Sequence, residues 1–183
     1  MIRPYLATGL LAAGLLGGAV LLAAGAARAQ QPAASPLDTV PDKMPFSQPY
    51  GAPIGLGEAQ RAITAAMAEA ERRGWPVNVA VVDSGGNLVA FVRMDGAQLG
   101  SIPVAQHKAR VAVKYRRPTR VFEDGVQKSG LNYVLSLDDV IASRGGIPLV
   151  ADGHIIGAIG CSGGTGSQDE VICTAGANGI GKP

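Results

Sequence analysis

Two glycine-bearing turns constrain this chain more than any other feature. Ser84-Gly85-Gly86 stands between the apolar runs 77–83 and 87–94, and Asp152-Gly153 stands between the runs 147–151 and 154–160. Apolar runs joined by so few residues fold back on each other as antiparallel hairpins, because a parallel return needs a crossover of about a dozen residues or more. Helical spacing recurs around them. Ala59, Ala62, Ile63, Ala66, Met67 and Ala70 form one stripe that stops at Gly74. A second helix is predicted over 102–115 with Ser101 as its cap, and a short third over 119–127. The apolar run 131–137 reads as one more strand. A last helix begins near Ser167, where Ser167 and Glu170 have the spacing of a capping box. The order lacks regular strand-helix alternation, so the expectation is an α+β domain, an antiparallel sheet with helices packed on it.

The chain opens with Met1-Ile2-Arg3, runs apolar to Ala27, and passes Ala27-Arg28-Ala29 before Gln30. This is the layout of a secretory signal peptide over 1–29, with export to a periplasm or the medium. An uncleaved anchor is the competing reading, since the stretch reaches the length of about 20 residues that spans a bilayer. Its small residues favour cleavage and leave no membrane segment afterwards. Removing Arg3 and Arg28 from 16 basic residues leaves the mature chain balanced against 14 acidic ones. Residues 30–55 hold six of the 12 prolines and read as an extended tether, or as an arm draped over a neighbouring subunit through Met44, Phe46 and Tyr50. The folded domain is expected over 56–183.

From Gly96 to Phe122 there is no acidic residue, yet His107, Lys108, Arg110, Lys114, Arg116, Arg117 and Arg120 all fall there. Such a run can steer an anion, or be a solvated face that pairs with acids elsewhere. An exported, net-neutral chain without an aromatic-studded basic surface is not expected to bind nucleic acid. On the second helix, Ile102, Ala105, Ala109, Ala112 and Val113 make the buried face, while His107 points nearly opposite with Val104 and Val111. That outer strip suits the wall of a flat pocket, an oligomer contact, or an exposed histidine of no consequence. His154, just after a turn, reads as turn decoration.

The stretch 160–166 is rich in glycine, but no lysine follows as in a P-loop and no parallel strand-helix-strand unit surrounds it. Cys161 and Cys173 are the only cysteines. In an oxidising compartment one disulfide fits them; two buried thiols, or a haem or metal ligand, are the alternatives. A zinc site lacks closely spaced partners. No acid-base or nucleophile constellation stands out, and catalytic residues stay unassigned.

Several runs carry a resemblance. VAVVDSGGNLVAFVRMDGAQLGSI, AQHKARVAV, RGGIPLV and GHIIGAIGCSGGTGSQDE, in this order, resemble the haem-binding or haem-degrading family that includes HbpS and GlcG, from about Leu56 to the C-terminus. The resemblance implies a profilin-like or PAS-like domain assembled into homo-oligomers, with haem as the ligand. It is related to the C-terminal domain of PduO-type proteins, which can hold haem or cobalamin. The recurrent motifs are turns and core and carry no axial ligand across. On this chain's own residues, Lys108, Arg110 and Lys114 are expected near the haem propionates, with His107 as the iron ligand. A haem-degrading or organic-acid enzyme, and an oligomeric accessory protein, are the other functions the resemblance leaves open.

Overall fold

The computed structural model describes residues 39–180; the leader and residues 30–38 of the proline-rich stretch lie outside the described residues. The elements run α1 (Leu56–Arg73), β1 (Asn78–Asp83), β2 (Leu88–Arg93), α2 (Ser101–Lys114), α3 (Arg120–Ser129), a 3-10 turn (Asn132–Ser136), β3 (Gly146–Ala151), β4 (His154–Ser162) and α4 (Gly166–Asn178). The four strands form one antiparallel sheet in the order β2-β1-β4-β3.

Alternation along β1 divides the interior. Val77, Val79 and Val81 pack with Ile159, Cys161, α1 and α4 on one face, and Ala80 and Val82 pack with Ala105, Ala109 and Ala112 of α2 on the other. Gly146 and Gly160 are paired across β3 and β4. A Cβ on Gly160 would collide with the Ala105 carbonyl and lie 2.6 Å from the Ala109 amide, and one on Gly146 would collide with the Lys108 carbonyl. These two glycines let the backbone of α2 rest directly on the sheet. On the opposite face, α4 is tied to β4 by a Cys161–Cys173 disulfide with a Cα separation of 5.6 Å.

Three expectations need correction. The run 131–137 is a 3-10 turn, not a strand: with Val134 it caps Val111 and Phe122 in a third small cluster away from the sheet. Ser101 is the buried first residue of α2 rather than its cap. The capping box of α4 is Thr165 with Gln168, whose side chains each bond the other's backbone amide, at 3.3 and 2.8 Å. Thr165–Gln168 and Ser167–Glu170 both satisfy the sequence pattern; Asp169, buried against Lys108, sets the phase of the helix.

The proline-rich stretch is not free throughout. Residues 49–54 lie along β4 beyond the end of β1: Ile155 donates to the Pro49 carbonyl, Gly51 to the Ile155 carbonyl, and Ile54 to the Ile156 carbonyl, at 2.8, 2.9 and 2.8 Å. Tyr50 pairs there parallel to Ile155. This strap sits on its own domain, where the sequence left open a neighbouring subunit.

Candidate functional site

The cations of α2 separate into two groups. Lys108, expected at a haem edge, is 1% exposed and donates to Asp169 Oδ2 at 2.8 Å. It lies on the same stripe as Ala105 and Ala112, facing the sheet, and is therefore unavailable to a surface ligand. His107, Arg110 and Lys114 do come together, around Asp139. His107 Nε2 lies 3.1 Å from the Asp139 carbonyl oxygen and 3.1 Å from Oδ1, and the Lys114 ammonium pairs with Oδ2. Lys114, and less strongly the charges of His107 and Arg110, hold the Asp139 carboxyl below its ordinary value. Of the apolar strip beside His107, Val111 is buried under Phe122 and Val134, while Val104 is half-buried. Three clefts among the described residues have no wall residue from α2.

Two arginines just past α2 are organised differently. The Arg117 guanidinium lies 3.7 Å from the Phe46 ring centroid and 5.5 Å from that of Phe122. Burial, and then the charge of Arg116, push it below its ordinary pKa. Arg116 stands 5.8 Å from the Tyr50 ring centroid and donates to the Gln48 carbonyl at 3.4 Å. Among the described residues neither has a carboxylate within ion-pair reach, so both retain capacity for an anion.

A cleft of about 490 Å³ opens beside Tyr50, over whose ring Arg116 lies, between the strap and the β3–β4 turn, and is lined by Tyr50, Ala52, Ala151, Asp152, His154 and Ile156 together with Gly51. Its geometry follows from local backbone chemistry. Asp152 and Gly153 both take positive φ, 47° and 74°, which makes the tight primed turn that an Asp-Gly pair favours. Beyond it, Leu149 pairs with Gly157 but Val150 with Ile155, so Ile156 is an extra residue in β4. This bulge turns the Ile156 side chain towards the strap and leaves His154 at the rim. The strap is anchored by the Tyr50 hydroxyl, which donates to the carbonyls of Val113 and Lys114 at 2.9 and 3.0 Å.

His154 is exposed, and its Nδ1 lies 2.8 Å from the Asp152 carbonyl oxygen. A carbonyl only accepts, so Nδ1 carries the proton and the neutral ring keeps its lone pair on Nε2. The sequence reading placed this residue as decoration of the turn, and its bond to the Asp152 carbonyl is such a contact; its place on the wall of the cleft was not read. The available signal was the turn itself, which returns the carbonyl of residue 152 beneath the ring of residue 154.

The sheet order, with α2 on one face and α1 and α4 on the other, defines a profilin-like α+β domain. Residues 54–178 match the model of the HbpS-like haem degrading protein family, and the chain belongs to that family. It is 39% identical to Protein GlcG of Escherichia coli strain K12 over 104 residues, 57% of this chain and 77% of GlcG. A double mutant of Streptomyces reticuli HbpS superposes with a TM-score of 0.67 at 31% identity, over 82% of this chain and 100% of that one. The crystal structure of PduOC in complex with haem superposes with a TM-score of 0.63 at 31% identity, covering 71% and 96% of the two chains.

Proposed function

We propose that the protein is an exported haem-binding protein of the HbpS and GlcG type. The observation that carries this reading is the kinship, in sequence and in fold, with a domain whose crystal structure holds haem. The chain's own residues fit such a ligand. A cation without an acidic partner, Arg116, lies over Tyr50 at a cleft that is partly apolar, and an imidazole nitrogen is free at its rim. Adding haemin to the purified protein is expected to give a saturable, red-shifted Soret band; the unchanged spectrum of free haemin would contradict the proposal. Loss of that absorbance when an electron donor is added would extend the function from binding to degradation, the activity in the family's name.

Export rests on the leader and is supported by the Cys161–Cys173 disulfide, a bond of oxidising compartments. Mass spectrometry of the exported form should find a chain beginning at Gln30; an intact leader would contradict cleavage. No described helix is long and apolar enough to cross a membrane. Assembly into a homo-oligomer is supported by Leu88 and Leu99, which are 51% and 68% exposed, Leu88 on the edge strand β2. Light scattering would contradict it by finding a monomer.

A further inference from the structure

Resting on the haem reading above, we propose that Nε2 of His154 is the iron ligand, and that the cleft between the strap and the β3–β4 turn is where the macrocycle sits. The chain contains two histidines, and the fold treats them differently. His107 has its Nε2 turned onto Asp139 and lines none of the three clefts, and Val111 beside it is buried under Phe122 and Val134. His154 has its Nδ1–H committed to the Asp152 carbonyl and its Nε2 open. That is the arrangement seen at metal-bound histidines, where the second nitrogen's hydrogen bond fixes the tautomer and aims the ring.

The surroundings select the kind of metal. Among the described residues there is no group of three or more His, Cys, Asp or Glu side chains able to hold a metal ion. A single imidazole is a poor site for a free cation. It is sufficient for an iron that already carries four nitrogen donors in its own ring, which needs from the protein only an axial ligand and a flat apolar wall. Ala52, Ala151, Ile156 and Tyr50 supply the wall. Arg116, held over the Tyr50 ring without an acidic partner, supplies a cation for the carboxylates at the edge of the macrocycle. The close approach of strap and turn is built in: a Cβ at Gly51 would lie 2.8 Å from the Cβ of His154. The strap is thus part of the seat.

The test compares haemin with metal-free protoporphyrin IX on the purified protein and on the variants His154→Ala and His107→Ala. With haemin, the parent and His107→Ala should share one red-shifted Soret band. His154→Ala should lose that shift and bind haemin more weakly by at least about tenfold, the lower bound for disturbing a metal-ligand set. Protoporphyrin IX, which has no iron to ligate, should bind the parent and His154→Ala alike. An unchanged haemin spectrum in His154→Ala overturns the assignment while leaving the haem reading intact. So does an equal loss of both ligands, because the side chain would then only shape the surface. Loss of the shift in His107→Ala alone moves the ligand to α2. A parent protein that gives no shift with haemin overturns the haem reading and this assignment together. His154 is exposed, so its replacement leaves the core undisturbed.

Discussion

Lys108→Met is expected to cost the protein about 3–5 kcal/mol, because it leaves a carboxylate uncompensated in the interior. Lys108 and Asp169 side chains are each 2% exposed and lie 2.8 Å apart. Asp169 Oδ1 accepts from the Gly164 amide at 3.0 Å. Burial pushes the Asp169 carboxyl up from its ordinary value, while the Lys108 ammonium and the amides of Gly163 and Gly164 pull it back. Gly145 closes over the pair with φ of +111°, where a Cβ would lie 2.8 Å from that of Asp169 and 3.3 Å from Lys108 Nζ. Without the ammonium, desolvation acts with less opposition and the carboxyl rises further. Since its folded value then lies well above its unfolded one, the variant should retain most stability at low pH and lose it as pH rises through the folded value. Urea unfolding at two pH values measures both effects. The double variant Lys108→Met with Asp169→Leu should recover much of the loss, since removing both charges spares the desolvation of either. A single variant as stable as the parent would mean that water reaches the pair.

Gly160→Ala is the second large effect, expected at about 3 kcal/mol, the upper end of the usual cost of overpacking. The added carbon would meet backbone atoms of Ala105 and Ala109, which cannot rotate away as a side chain could, so α2 must lift from β4. Gly57→Ala is the matched control. Nothing lies within 4 Å of a Cβ there, and alanine in place of a helical glycine should stabilise α1 by up to about 1 kcal/mol. Thermal unfolding of the two variants should move in opposite directions. A shared direction would contradict the backbone contact between α2 and the sheet.

These sites show how far the sequence alone reached. The Asp152-Gly153 turn and the Ser84-Gly85-Gly86 turn carry their geometry in a few adjacent residues, so both hairpins, and with them the antiparallel sheet, were legible. The stripe of α1 was legible for the same reason. Lys108 was not. Its spacing from Ala105 and Ala112 already placed it on the buried face of α2, but a lysine there is tolerated only because Asp169 meets it from 61 residues away. The run 131–137 misled because a short apolar run is a local signal, whereas its cover over Val111 and Phe122 is tertiary. The same cover took Val111, one of the two valines that made His107 attractive. His154 was read as turn decoration because the feature that distinguishes it, a place on the cleft wall beside the strap, depends on residues 49–52 folding back onto β4.

The central claim, that a metalloporphyrin sits against the strap and the β3–β4 turn, is tested most directly by amide chemical-shift mapping with zinc protoporphyrin IX, a diamagnetic stand-in for haem. The account predicts shifts concentrated at residues 49–52 and 151–156. Shifts following the exposed side of α2 around His107, or no shifts at saturating ligand, would contradict it.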